Sequence, residues 1–523
     1  MNKFFETLKQ ISSEDSRFFL ILLLTVCYLI SNTGIHSDEY SVIRNFQEIS
    51  LKDFLNIIPS EKFMITNFIS YYLFWWVYWI ASFENLWIYD SIKIFAHLIS
   101  FLFVYKFSTD YLPKERSALL ALIFLFYPIH ESSTFIYMNI PYILAPSLLM
   151  YAHYLIRRNK IFLGIITSFL GTFSYYVSPP YSFGLGIIFL VERQFKKAFI
   201  FLLPGIIYLV FYLLFSLYFQ DYERKIDSAL SLGELIKYLC LQIVSLLESI
   251  AGPSYFLKIF YSLSSLSLLS CLLALPIIWF LLTRKNIYSD SPKFPISLFY
   301  GFLSIIILSC FMFSLTGLNI HSPFNLGNRA LIYGSLLFSL FIVVIRINRI
   351  YVLLITILFI LPTFGLSDHW KLWNSKQKEI ILEINTHNDL KTLIPGEVIL
   401  VKGNLYNKLG PFSHVEFFSM PWHLESVFKT KDKDILAISS SSYKDFSNNS
   451  IIDKKFNIVY ELKGNIYLYD SVNHTLKQVT SSEVRDILLE EEPVFRHWVQ
   501  LFKGTILEET LTALSPRIAY IFD

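Results

Sequence analysis

The sequence predicts an all-α polytopic membrane domain over residues 1–366, followed by an extracytoplasmic α/β domain over residues 367–523. Three observations carry this expectation. Apolar runs of membrane-spanning length recur from Phe18 to Leu366. Mean hydropathy is +0.50, with 54% hydrophobic and 16% charged residues, a balance outside that of ordinary soluble proteins. From Ser367 the apolar runs shrink to strand length and turn-rich stretches separate them.

Taken in order, the chain opens with a mixed-charge segment, Met1 to Arg17, and a first apolar run from Phe18 to Ile30. No small-residue cleavage site follows that run, so the first helix is expected to stay in the mature protein. Spans are expected near 18–33, 86–106, 117–130, 135–156, 161–178, 180–191, 198–219, 254–283, 295–318, 330–345 and 350–366, about eleven in all. The 180–191 run is short, and Ser178-Pro179-Pro180 reads equally as a break within a helix. Run 63–80, with Tyr71-Tyr72-Leu73-Phe74-Trp75-Trp76 and Trp79, carries the aromatics that an interfacial helix prefers, and segment 233–252 is a second candidate. With run 63–80 in the interface, the basic loops at Lys114 and Arg116, Arg157 to Lys160, Arg193 to Lys197, Arg284 and Lys285, and Arg346 to Arg349 all fall on the cytoplasmic side. The C-terminal domain then lies outside. Its expected strands are 398–401, 435–438, 458–460, 466–469 and 518–522, with helical stretches at 376–393 and 482–491.

Composition also excludes. A formal net charge of +3 is too small to suggest nucleic acid as a partner. The four cysteines (Cys27, Cys240, Cys271, Cys310) fall in or beside apolar runs and form neither a disulfide framework nor a metal-type spacing.

The residues that carry chemistry cluster on the outer side. His36-Ser37-Asp38-Glu39-Tyr40 follows the first span directly, with Arg44 within two helical turns. Charges where a helix leaves the bilayer are costly without a partner or a water-filled cavity, which makes them functional candidates. Transfer of a sugar from a lipid phosphate needs a carboxylate to accept the acceptor's proton and a cation to hold the leaving phosphate. Asp38 and Glu39 offer the first. Arg329, in Asn325-Leu326-Gly327-Asn328-Arg329 at the outer end of an apolar helix, and Arg44 offer the second, the planar guanidinium fork suiting phosphate. Read alone, the acids fit a solvated loop equally well, and Arg329 fits a snorkelling anchor. His130-Glu131 fits a polar helix end, and His97 a packing histidine. His36, His130 and Asp38 have no fixed metal-ligand spacing. The sequence names no cofactor, and a divalent metal stays an open question.

In order, these motifs resemble the GT-C superfamily of membrane glycosyltransferases, in particular the branch of transmembrane protein O-mannosyltransferases and related bacterial proteins. The acidic pair Asp38-Glu39, the aromatic segment Asn67 to Trp79, a helix containing His97, and Tyr127-Pro128-Ile129-His130-Glu131 follow one another as in that family. Arg329-Ala330-Leu331-Ile332-Tyr333-Gly334-Ser335 and Asp368-His369-Trp370-Lys371-Leu372-Trp373 continue the order. The resemblance covers roughly residues 18–375. It departs at Tyr127, where the family often has His, and at Ser174-Tyr175-Tyr176, and the family's tandem helical repeats are missing.

The resemblance implies Asp38 as catalytic base, Glu39 as a second acidic or orienting residue, and Arg329 on the donor phosphate with Arg44 as a further candidate. His36, Tyr40, His97, His130 and Glu131 would line the cavity. It implies a polyprenyl-phosphate-linked sugar donor, an inverting displacement, and a glycan, lipid or protein acceptor. The expected setting is a bacterial cytoplasmic (inner) membrane. A transporter or flippase of lipid-linked saccharides would share the outer acids but should show paired broken helices and pseudo-symmetry. A polymerase or ligase would carry a large loop between late spans, and a membrane-anchored binding protein would need far fewer spans.

Overall fold

The computed structural model describes residues 13–47, 49–53, 68–70, 74–218, 231–283, 292–315, 321–428, 435–440, 444–447, 450–453, 458–489 and 494–514. The first apolar run is helix α1 (Ser13–Ile30), and a short polar helix, α2 (Glu39–Gln47), follows its exit. Then come α3 (Leu86–Ser108), α4 (Lys114–Leu125), α5 (Ile140–Arg157), α6 (Ile161–Thr172), α7 (Pro179–Val191) and α8 (Phe195–Tyr218). Helices α9 (Leu232–Ala251), α10 (Pro253–Ser264), α11 (Leu268–Thr283), α12 (Ile296–Leu315), α13 (Ile332–Val344), α14 (Arg349–Ile355) and α15 (Leu361–Thr386) complete the helical domain.

Among the described residues, six helical stretches are long and apolar enough to cross a bilayer: Leu86–Ser108, Phe195–Leu214, Leu232–Ser264, Ile296–Leu315, Leu326–Val344 and Arg349–Thr386. Four shorter apolar helices accompany them. The helical membrane domain is thus borne out, with six of its helices long and apolar enough to cross among the described residues. The expected span 254–283 is interrupted between α10 and α11, and α9, expected to lie along the interface, joins α10 through Gly252 into one 33-residue stretch. Ser231 opens α9 with a capping box closed by Glu234. Pro179 and Pro180 start α7, in the first turn, where a missing N–H costs nothing. The aromatic run forms two short described helices, Phe68–Ser70 and Trp76–Ile80. Tyr71 to Leu73, the loop at Arg284 and Lys285, and the expected strand 518–522 lie outside the described residues.

The helices expose apolar side chains outward, Leu268 at 78% and Phe162 at 74%, as a lipid-facing wall requires. At one end of the bundle charged loops meet. Arg157 bonds Glu192 and the Tyr111 hydroxyl, Arg158 pairs with Asp110 at 2.6 Å, and Lys197 donates to the Arg157 carbonyl at 3.0 Å. Buried Arg116 donates at 2.8 Å to each of the Val343 and Ile345 carbonyls, which the end of α13 leaves unpaired. Helices α7 and α12 touch through glycine: a Cβ on Gly184 would stand 2.4 Å from Ile305 Cγ1, and one on Gly301 2.4 Å from Ile188 Cγ1. Small residues allow such close backbone approach between apolar helices.

At the other end sits the α/β domain. Strands β1 (Val398–Lys402), β2 (Tyr406–Leu409), β3 (Phe412–Glu416), β4 (Leu436–Ser439), β5 (Lys444–Ser447), β6 (Ser450–Asp453), β7 (Ile458–Glu461), β8 (Ile466–Asp470) and β9 (Thr475–Val479) form three sheets. The main sheet runs β4-β1-β8-β9, parallel except for the final pair. Strand β1 is buried on both faces. Val398 and Leu400 pack into one cluster with Ile438 and Val484, while Ile399 and Val401 face the other with Phe417 and Trp370. Helices α16 (Pro421–Phe428) and α17 (Ser481–Leu489) flank the sheet, and α18 (Ile506–Leu514) follows.

The compositional border at Ser367 falls inside α15, which is continuous for 26 residues. Its later half buries Trp370, Trp373, Gln377, Ile380 and Ile384, a stripe at three- and four-residue spacing. Four of these join the same apolar cluster as Phe417 and Leu424 of the α/β domain.

Gly184→Leu is expected to lower the apparent unfolding temperature in detergent, because overpacking a tight contact costs about 1–3 kcal/mol. Gly233→Ala, whose Cβ meets open space, should leave that temperature unchanged or raise it.

Candidate functional site

The chain leaves α1 through Asn32, Gly34 and Ser37, all at positive φ. Gly34 has φ +72°, and a Cβ there would also strike Asn374 Oδ1 at 2.1 Å, so only glycine fits. Two charged residues of α3 fasten this turn. Asp90 Oδ2 accepts the Asn32 N–H at 2.7 Å. Lys93 pairs with Asp90 at 2.8 Å and donates to Thr33 Oγ1 (2.8 Å), the Gly34 carbonyl (2.9 Å) and the Phe135 carbonyl (2.9 Å). The lysine is wholly buried, so these oxygens replace its hydration shell.

Helix α2 therefore starts at a fixed point, and its two acids diverge. Glu39 turns inward and is fully buried. It reaches back to the His36 N–H at 2.8 Å, as a capping box does, and accepts the Met138 N–H at 2.7 Å and the Tyr78 hydroxyl at 3.2 Å. Burial pushes its carboxyl up to about 7, against the pull of Lys93 and these donors. Asp38 is half-buried and faces the α/β domain, where the Trp422 indole N–H of α16 donates to its Oδ1 at 2.5 Å.

His36 is sealed under the edge of Trp370 with Nε2 at 2.6 Å from the Thr33 carbonyl, and burial followed by Lys93 lowers its imidazole to about 3. Tyr40 lies against His423, ring centroids 4.5 Å apart. Arg44 donates to the Ser426 carbonyl at 3.0 Å, which turns it toward α16. His97 is buried on α3, with Nδ1 at 2.8 Å from the Lys93 carbonyl and its ring stacked on Phe126. His130 spends both ring nitrogens locally, on Ser133 Oγ (2.9 Å) and the Phe124 carbonyl (2.8 Å).

Glu131 belongs to a separate, sealed network. It forms an ion pair with Lys258, accepts from Asn328 Nδ2 at 2.9 Å, and lies 2.9 Å from His414 Nε2 on β3. Lys258 also donates to the Pro323 carbonyl at 2.5 Å. Burial opposes ionisation of Glu131, but Lys258 and His414 outweigh it and hold the carboxyl down at about 2. Helical domain and α/β domain are thereby pinned by one charge cluster.

Arg329 sits next to Asn328 and is half-buried, donating to the Leu326 carbonyl at 3.1 Å with its guanidinium 5.8 Å from the Tyr142 ring. Tyr142, Tyr175 and Tyr176 form one group: the Tyr142 and Tyr176 hydroxyls are 3.3 Å apart, and the Tyr175 ring stands 5.0 Å from Tyr142 and 4.6 Å from Tyr176. Of the nine residues singled out from sequence, Arg329 lies beside these tyrosines and Asp38 at the contact with Trp422, whereas Glu39, His36, His97, His130 and Glu131 are engaged within the packing and Tyr40 and Arg44 at the contact with α16. Among the described residues, no group of three or more His, Cys, Asp or Glu side chains is placed to hold a metal ion.

Sequence reasoning missed Asp90, Lys93, Lys258, Asn328, His414 and Trp422. Asp90, Lys93 and Lys258 carried a signal, being charges inside apolar helices. His414 and Trp422 carried none, since their partners lie hundreds of residues away. No family model, curated protein or solved structure matches the chain.

Lys258→Met should destabilise the protein by about 3–5 kcal/mol, because it strands the Glu131 charge, and Glu131→Gln in the same chain should restore part of the loss. Thermal unfolding of the single and double variants checks this. The stabilisation from Glu131 is complete above the ordinary carboxyl value of 4.5 and should be lost as pH falls through about 2. In the Glu131→Gln variant that acid-side loss should be smaller.

Proposed function

We propose that the chain is an integral-membrane glycosyltransferase that moves a sugar from a polyprenyl-phosphate-linked donor to an acceptor hydroxyl at the outer face of a bacterial cytoplasmic membrane. One observation carries the reading. Asp38 and Arg329 each keep part of their surface open, Arg329 beside the tyrosine group, while Glu39, Lys93, Glu131 and Lys258 are buried and bonded within the packing. A part-open carboxylate and a part-open guanidinium suit a reaction that takes a proton at one group and releases a phosphate at the other. The order of the sequence motifs adds to this, and so does the gathering of basic loops at the opposite end of the bundle, which suits a cytoplasmic face.

In the proposed step the acceptor hydroxyl gives its proton to Asp38 as its oxygen bonds to the anomeric carbon. The bond from that carbon to the phosphate oxygen breaks, and its electron pair leaves on the lipid phosphate. Arg329 stabilises the charge that builds there through charge-assisted hydrogen bonds. Attack opposite the leaving group inverts the anomeric configuration. Tyr142, Tyr175 and Tyr176 supply ring faces and hydroxyls for the sugar. Arg44, bound to α16, is left out of phosphate binding, and Glu39 holds the architecture of the site.

Mass spectrometry of envelope glycans from cells with and without the gene tests the reading: the expected result is loss of one sugar substituent, and identical glycans would overturn it. In cells lacking the gene, Asp38→Asn should restore about a hundredth or less of the wild-type glycan, the usual scale for loss of a general base. Arg329→Ala should raise the donor concentration needed for half-maximal transfer about tenfold, measured with a polyprenyl-phosphate-linked hexose series in proteoliposomes.

A further inference from the structure

Helices α2 and α16 are remote in the chain, with Asp38 and Trp422 separated by 384 positions, yet they meet along one face. Three contacts define the seam: the Trp422 indole N–H on Asp38 Oδ1 at 2.5 Å, Arg44 Nη1 on the Ser426 carbonyl at 3.0 Å, and Tyr40 against His423 at 4.5 Å. Trp422 and Ser426, four residues apart, share one side of α16, and His423 follows on the adjoining side. The helix itself is firmly seated. His423 Nδ1 lies 2.7 Å from the Phe417 carbonyl, and Leu424, Val427 and Phe428 are buried in the apolar cluster that also holds Trp370 and Trp373 of α15. The indole is thus presented to Asp38 from a rigid base in the other domain.

An indole N–H can only donate. It occupies one carboxylate oxygen and fixes the plane of the group. Among the described residues no donor is placed on Oδ2, which leaves that oxygen to take a proton.

We infer that Trp422 is a positioning residue for Asp38, and that the α/β domain completes the reaction centre through it. The inference rests on the reading of Asp38 as the base. Its chemical content is that the base is oriented from outside the helical domain, so docking of the two domains and competence of the site are one event.

Two measurements on the full chain separate the inference from that reading. In nanodiscs, the indole ¹H–¹⁵N resonance of Trp422, assigned by its loss in Trp422→Phe, is expected far downfield and should move upfield in Asp38→Asn. Identical positions in the two proteins would remove the contact and overturn the inference, whatever the activity. In cells lacking the gene, Trp422 is replaced by benzothienylalanine, which keeps the bicyclic ring and exchanges the N–H for sulfur. The restored glycan is expected to fall about tenfold, the scale of one hydrogen bond to a charged group. Wild-type restoration by this isosteric variant would overturn the inference while a loss in Asp38→Asn leaves the base assignment standing. Full restoration by Asp38→Asn would instead overturn the base assignment itself.

Discussion

A lysine without any contact with solvent, Lys93, holds the site end of the molecule together. An ammonium group moved out of water costs several kcal/mol unless oxygen partners replace its hydration. Lys93 finds a carboxylate, a hydroxyl and two carbonyls, drawn from α3, the exit of α1 and the turn at Phe135. These segments cannot drift apart without stranding the charge. The direction in which the chain leaves α1 is therefore set, and with it the start of α2 and the opposite orientations of Glu39 and Asp38.

The same logic divides the charged residues into two kinds. Asp90 with Lys93, and Glu131 with Lys258, have their charges neutralised within the packing and act as rivets. Asp38 and Arg329 are held at their edges, by an indole and by a backbone carbonyl, and keep part of their surface open. A rivet supports stability and gains nothing from access. A reacting group needs a fixed posture together with room for a partner, which is the role proposed for Asp38 and Arg329.

Much of the architecture was legible because it rests on local patterns. Apolar runs marked the helices, and the runs at 398–401, 435–438, 458–460 and 466–469 mark β1, β4, β7 and β8. Strands β2, β3 and β9 were hidden because they are short and carry lysine, histidine, serine or glutamine in place of continuous apolar runs. Hydropathy could not see the break between α10 and α11 or the shortness of α4, and six helical stretches, with eleven spans expected, are long and apolar enough to be counted among the described residues. At the site, adjacency in sequence says little about direction. Asp38 and Glu39 looked like one acidic unit, but successive residues at a helix start point about 100° apart, and only one of the two stays open. His130, which also fitted a polar helix end, spends both ring nitrogens on local hydroxyl and carbonyl partners. Contacts such as Trp422 with Asp38 depend on tertiary pairing, which no spacing rule encodes.

Helix α15 is a single rod shared by two hydrophobic cores, and this bears on how the protein can be taken apart. The change in composition at Ser367 marks where the rod leaves an apolar environment, while its backbone continues to Thr386. Severing the chain at that border would leave a helical fragment lacking the strut beneath its own site and an α/β fragment with Trp370, Trp373 and Ile380 bare to water. The natural seam runs through space, between side chains, and no point along the polypeptide coincides with it.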